Sequence, residues 1–265
     1  MIRKKLNKKL QFIKKEVKDM DMYQKRKIRK EKKNSENNEE KLTKVGINWY
    51  PGHMAKTKRQ IIEDLKLIDV IVEILDARIP ISSQNPDVKT YSKNKSKVVV
   101  LNKSDLADEI ETKKWVKHFE KQGIPAVITD SNSGKGINDV IKAVQNVYKK
   151  DEEKFASKGR IGKSIRIMIL GIPNVGKSSF INRITKKNIA QVGNRPGVTR
   201  QKQWIRLQEG IELMDTPGVL WPKFESEEVG LNLAFTGTIK DDILEKTEIA
   251  FQLLKYLINN YEKKY

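Results

Sequence analysis

Asn102-Lys103-Ser104-Asp105 and Gly171-Ile172-Pro173-Asn174-Val175-Gly176-Lys177-Ser178 decide the fold by their order. The second stretch fits GxxxxGK[ST], a loop whose backbone N–H groups cradle phosphates. The first is the NKxD tetrapeptide, a reader of guanine. In the usual arrangement the phosphate loop opens the domain and NKxD lies far downstream. Here NKxD leads by about seventy residues. Every part is present but the order is reversed, so the domain is predicted to be circularly permuted.

Short apolar runs surround both motifs. VIVEIL (70–75), KVVVL (97–101), PAVIT (125–129), IRIMIL (165–170), QWIRL (203–207) and IELM (211–214) are such runs, and most read as buried or half-buried strands. Helical stretches are expected at 55–68, 109–121, 137–150, 177–187 and 241–262. Strands alternating with helices imply an α/β fold: a mainly parallel P-loop sheet covered on both faces, three layers in all. Residues 151–163 (DEEKFASKGRIGK) are polar, carry two glycines and read as the linker joining the old ends of the permuted domain. The predicted organisation is a basic N-terminal extension and linker (1–46), the permuted nucleotide-binding domain (47–240) and a truncated helical C-terminal segment (241–265).

Composition narrows the partners. Of 265 residues, 37% are hydrophobic and 33% charged, which leaves room for one α/β core and some solvated chain. There is no cysteine, hence no disulfide framework and no thiolate metal site. No apolar run is long enough to span a bilayer, and a soluble cytoplasmic protein is expected. The net charge is +20, and residues 1–45 hold 17 Lys/Arg against 7 Asp/Glu, half of that excess. Such a field favours a polyanion, with RNA the first candidate; a basic tail that only aids solubility is the alternative.

The strand before the phosphate loop and the helix after it supply the context the motif needs. Gly171 and Gly176 let the backbone curl around the β-phosphate, with Asn174 and Val175 completing the cradle, and the helix N-terminus favours an anion. Lys177 is expected at the β- and γ-phosphates, Ser178 on Mg²⁺ and Ser179 near the α-phosphate. Asp215-Thr216-Pro217-Gly218 follows strand 211–214. Asp215 suits a water-mediated hold on Mg²⁺, and Gly218 lets a backbone N–H approach the γ-phosphate. Thr199 fits a switch threonine that binds Mg²⁺ when the γ-phosphate is present; a turn threonine is the alternative.

In the NKxD tetrapeptide the Asp105 carboxylate can accept from guanine N1–H and N2–H, a donor pair adenine lacks. The Lys103 stem can cover the base face, and Asn102 and Ser104 complete the tetrapeptide. Asp130-Ser131-Asn132-Ser133-Gly134-Lys135-Gly136 occupies the slot of the SAxxGxG loop, whose backbone touches the guanine carbonyl. Asp130-Ser131 stands where that pattern has Ser-Ala.

After Gly218 comes Val219, where small GTPases carry a glutamine that orients the attacking water. Valine cannot. His53, beside a glycine that gives it freedom, is the candidate, since a neutral imidazole can bond a water. A structural histidine near Trp49 is the alternative. His118 reads as a surface residue.

The chain resembles the circularly permuted GTPases of the YlqF/RbgA family, the ribosome biogenesis GTPase A group. The likeness runs from about Ile47 into the 250s and is carried by WYPGHMAK (49–56), LDARIP (75–80), NKSD, GIPNVGKSS, NRPGVT, DTPGVLWPK (215–223) and GLNLAFTGTIKD (230–241). It implies binding of GTP and GDP with Mg²⁺, and GTP hydrolysis coupled to a late step of large-subunit (50S) assembly on ribosomal RNA. It also implies catalysis through His53, and in some relatives K⁺ held partly by Asn174. A protein monomeric off the ribosome is expected. Relatives continue into a C-terminal RNA-binding helical domain, of which this chain is expected to carry only the beginning; the basic extension would supply some of that contact. Two other readings remain. One is an RNA-binding scaffold with a degenerate nucleotide site, against which stand Lys177, Ser178, Asp215, Asn102 and Asp105. The other is a P-loop kinase, against which stand NKSD and DTPG.

Overall fold

The computed structural model describes residues 59–92, 95–150, 164–186, 203–207, 210–215, 226–239 and 246–261, all within the compact unit Trp49–Tyr265. Its centre is β1 (Val70–Asp76), buried at every position, as a strand covered on both faces must be. Beside it lie β2 (Ser96–Asn102) and β4 (Ile165–Leu170). β3 (Ala126–Ile128) pairs with β2, and β6 (Ile211–Asp215) with β4. The six strands run in the order β3-β2-β1-β4-β6-β5, all parallel except the edge strand β5 (Gln203–Arg206), which pairs antiparallel with β6.

This order displays the permutation. Among the described residues the sheet is begun at its centre by β1, β2 and β3 build out to one edge, and only then, after residues 151–163, does β4 lie down on the other side of β1. The strand that carries the phosphate loop is fourth in sequence yet central in space. All six strands fall where the apolar runs place them, with ends shifted by a residue or two.

Among the described residues the helices are α1 (Pro86–Tyr91), α2 (Glu109–Lys121), α3 (Ile137–Lys150), α4 (Lys177–Thr185), α5 (Glu227–Phe235) and α6 (Lys246–Tyr261). Helical residues 59–64 continue into a 3₁₀ turn at Leu65–Leu67. α2 and α3 have the expected bounds. α2 is fixed at its start by Asp108, whose carboxylate accepts from the N–H groups of Ile110 (2.9 Å) and Glu111 (3.0 Å). α4 ends at Thr185 and not at the expected Lys187, because Lys186 turns left-handed (φ 54°) and its N–H closes on the Asn182 and Arg183 carbonyls.

Two helices among the described residues were not expected. α1 is one and a half turns long, too short for a periodic signal; Asn85 caps it by accepting from Asp87 N–H (2.9 Å), and Pro86 opens it. α5 has a Ser226 cap accepting from Val229 N–H (3.3 Å), but Gly230 and Asn232 interrupt its apolar pattern.

The core is the aliphatic inner sheet closed by aromatics from the helices. Leu75, Val99 and Leu101 bury Phe119 of α2, with Trp115 and Ile124 packed alongside. Phe180 of α4 is fully buried. Between β2 and β1, Lys97 Nζ donates to Glu73 Oε2 at 2.6 Å, an ion pair whose carboxylate is buried. Among the described residues no helix is long and apolar enough to cross a membrane.

Candidate functional site

Five parallel strands open their carboxyl ends on one edge of the sheet, which is where open α/β sheets receive ligands. That edge carries Asp76 at the end of β1, Asn102 at the end of β2, Thr129 and Asp130 after β3, and Gly171 after β4. The backbone of Asp215 ends β6 next to β4. Most of the two consecutive motifs, and the loop at 130–136, therefore meet at one place.

The phosphate loop turns twice through left-handed backbone, at Asn174 (φ 62°) and Gly176 (φ 88°). Gly176 is required twice over. Its φ suits glycine, and a Cβ there would collide with the Asn102 side-chain nitrogen. Lys177 opens α4 and is buried, with Ser178 and Ser179 half-buried behind it. The first turn of α4 carries no acidic residue, so none within it competes with an anion for the field at that helix end.

Asn102, 1% exposed, ties the two motifs together. Its Nδ2 donates to the Val175 carbonyl (2.8 Å) in the phosphate loop. Its Oδ1 accepts from Thr129 Oγ1 (3.1 Å), Ser131 Oγ (2.7 Å) and Ser131 N–H (3.2 Å). One buried amide thus joins the strand end, the phosphate loop and the loop at 130–136. Lys103, left-handed at φ 60°, donates from Nζ to the Asn174 carbonyl (2.5 Å) and pairs with Asp76 (3.2 Å). The Ser104 N–H donates to the Thr129 carbonyl (3.1 Å), and Asp105, in the 3₁₀ turn Ser104–Leu106, is exposed.

The loop at 130–136 is shaped by Asp130, whose carboxylate accepts from the N–H groups of Asn132 (2.8 Å) and Ser133 (3.2 Å). A hydrogen bond from the Ser133 side chain leads in holding that carboxyl below its usual range. The two backbone N–H groups and the charge of Arg183 add to it, and together they outweigh desolvation. Gly136 (φ 78°) has no room for a Cβ, which would overlap the Ile128 carbonyl. From α4, Arg183 donates through Nε to the Ser131 carbonyl (3.2 Å) and through Nη2 to the Asn132 carbonyl. Asn174 directs its side-chain nitrogen to the Gly237 carbonyl (2.6 Å), so Oδ1 is the only atom of that amide able to ligate a cation.

His53, Thr199 and Gly218 lie outside the described residues, as do the extension 1–46 and the linker 151–163. The Asp215 side chain is likewise outside them. Four residues at this edge carried no individual role in the sequence reading: Asp76, Arg78, Thr129 and Arg183. Asp76 and Arg78 had a signal, an acid closing the run VIVEIL with a base two residues on. Burial pushes the Asp76 carboxyl up, but the Arg78 hydrogen bond and the charges of Lys103 and Arg78 outweigh it and hold the group below its ordinary value.

Comparison with known proteins agrees with this geometry. Residues 166–262 match a family described as 50S ribosome-binding GTPase. A ribosome biogenesis GTPase A from Bacillus licheniformis is 50% identical over 218 residues, covering 82% of this chain and 77% of that protein. One from Thermotoga maritima is 36% identical over 204 residues, covering 77% and 70%. Among solved structures, GNP-bound YlqF from T. maritima superposes with a TM-score of 0.59 at 28% identity, covering 79% of this chain and 78% of that one. The GDP-bound form superposes with a TM-score of 0.58. This chain belongs to the circularly permuted ribosome biogenesis GTPase A (YlqF/RbgA) family.

Proposed function

We propose that this GTPase binds the precursor of the large ribosomal subunit and couples GTP hydrolysis to a late step of 50S maturation. The observation that carries the nucleotide half of the reading is Asn102, which locks NKSD to the phosphate loop as a site for one guanine nucleotide must. The ribosomal half is supported by the match of residues 166–262 to a 50S ribosome-binding GTPase family and by the net charge of +20. The basic segment 1–46 would contact ribosomal RNA. The protein would act in the cytoplasm, as a monomer when off the ribosome.

In this reading Asp105 selects guanine, Lys103 covers the base, and the loop begun by Asp130 and Ser131 faces the guanine carbonyl. Lys177 and the N–H groups of residues 174–179 take the phosphates. The residues present fit a divalent ion. Ser178 lies in the first turn of α4, and Asp215 ends the strand adjacent to the one feeding the loop. Ser178, Asp215 and Thr199 would hold Mg²⁺, which when bound neutralises charge on the β- and γ-phosphates. Asn174 Oδ1 would serve K⁺. His53 would place the attacking water in the absence of a glutamine after Gly218.

Two measurements test these halves separately. Purified large subunits sedimented with the protein should carry it down with a non-hydrolysable GTP analogue and much less with GDP. Equal amounts in both states, or none in either, would end the assembly-switch reading. Asp105→Asn replaces an acceptor by a group that is half donor, which suits the exocyclic oxygen of xanthine. Preference should move from GTP towards XTP by about tenfold or more, the value of a charged hydrogen bond. A variant that prefers GTP as strongly as the parent would show that NKSD does not read the base.

A further inference from the structure

The carboxylate that ends β1 has no task in the chemistry above, yet four contacts converge on it. Asp76 Oδ1 accepts from the Arg78 N–H (3.1 Å) and Arg78 Nε (2.9 Å). Asp76 Oδ2 accepts from Arg78 Nη2 (2.7 Å) and lies 3.2 Å from Lys103 Nζ. The Asp76 N–H donates to Ser83 Oγ (3.0 Å), whose hydroxyl donates to the Pro80 carbonyl (3.2 Å). The LDARIP segment thereby holds the carboxylate from its own side, while Lys103 reaches it from the next strand.

The second contact of Lys103 Nζ is the Asn174 carbonyl in the phosphate loop. The ammonium is therefore pinned at two points, and the stem behind it runs past Gly176. A lysine stem in solvent has several rotatable bonds, and lying flat against a base would forfeit most of that freedom. Pinning the ammonium in advance removes this loss from the binding step. Arg78 has a distinct part. Its planar fork satisfies both carboxylate oxygens, so Asp76 need not draw Lys103 off the phosphate loop to satisfy a buried charge. Asp76, through its hydrogen bond first, raises the Arg78 guanidinium above its ordinary value against desolvation. The charges of Asp76 and Asp105 add to this, which places Arg78 in the field of the base-reading carboxylate.

We propose that Asp76 and Arg78 are positioning residues for guanine-nucleotide binding: Asp76 fixes the Lys103 ammonium so that its stem is preset as a wall of the base site, and Arg78 fixes Asp76. The proposal rests on NKSD being that site.

The test is a double-mutant cycle on affinity for a fluorescent GDP analogue. Asp76→Asn keeps the size of the side chain, and Lys103→Met keeps the stem without the charge. Asp76→Asn should weaken binding about tenfold in the parent, but less than about twofold where residue 103 is already changed. Arg78→Gln should behave like Asp76→Asn, and Arg78→Lys should recover part of the loss, because an ammonium keeps the charge but not the fork. Equal losses with and without Lys103 would overturn the proposal, since a general defect of folding does not depend on that side chain. Should Asp76→Asn fail to fold, Arg78→Gln, at a side chain 28% exposed, runs the same cycle. Asp105→Asn measured alongside separates the two ideas. A switch towards XTP with an additive cycle removes only the positioning role; no switch removes the base site and this proposal with it.

Discussion

Lys97→Met is expected to destabilise the protein by about 3–5 kcal/mol, and adding Glu73→Met is expected to restore most of that loss. Glu73 sits in the middle of the central strand with its side chain 1% exposed. In the β1–β2 register Glu73 faces Val99 and Ile71 faces Lys97, so the two charges are diagonal neighbours on one face of the sheet. Removing the cation leaves a carboxylate that neither water nor a partner compensates. Removing both leaves apolar side chains of similar bulk, a change that is often neutral or stabilising by about 1–4 kcal/mol. The pair is thus worth little as a whole and much in its halves. Against a total stability of about 5–15 kcal/mol for a domain, the single variant stands near the edge of folding. Urea unfolding without nucleotide, followed by far-UV circular dichroism, measures both variants free of ligand linkage. A single variant within about 1 kcal/mol of the parent would show that solvent reaches Glu73.

The sheet was legible because its strands are short apolar runs at fixed places, and buried parallel strands need little else. The permutation was legible from motif order alone. The order of strands in space was not: nothing local says that β4 lies on the far side of β1 from β2. The same limit governs the site. NKSD and the phosphate loop are consecutive residues after strands, so each announces itself. The links between them join residues 71 to 73 positions apart, Lys103 to Asn174 and Asn102 to Val175, and exist only once the sheet is assembled. Asp76 shows the point most sharply. In sequence it is one letter of LDARIP; in space it is where β1, NKSD and the phosphate loop meet. α5 was opaque for another reason. Its glycine and asparagine break the apolar period, and Asn232 instead donates to Ser82 Oγ (3.0 Å), 150 residues away.

His53→Ala is expected to leave GTP binding unchanged and to lower large-subunit-stimulated hydrolysis by about 10²–10⁴-fold, the usual worth of a general acid–base group. The argument starts from Val219. An isopropyl group has neither donor nor acceptor, so the residue after DTPG cannot hold the attacking water as a glutamine there does. Phosphoryl transfer asks the protein chiefly for placement and charge, and placing the water is the part of that task left unassigned. Among the histidines only His53 and His118 are available. His118 lies on α2, its Nε2 bonded to Gln122 Nε2 at 2.8 Å and its ring edge-on to Trp115 and Phe119, and so is engaged within its own helix. His53 remains. Docking on the subunit would bring its imidazole to the water, a gating step of the kind loops perform. His53→Gln distinguishes placement from proton transfer, since an amide can orient a water but cannot take its proton at neutral pH. Partial recovery in His53→Gln favours placement, and none favours proton transfer. The measurement is single-turnover hydrolysis on purified large subunits with enzyme in excess and nucleotide binding determined separately. Near-parental stimulated turnover in His53→Ala would remove the histidine from the reaction and leave the water to ribosomal RNA or to a cation at Asn174.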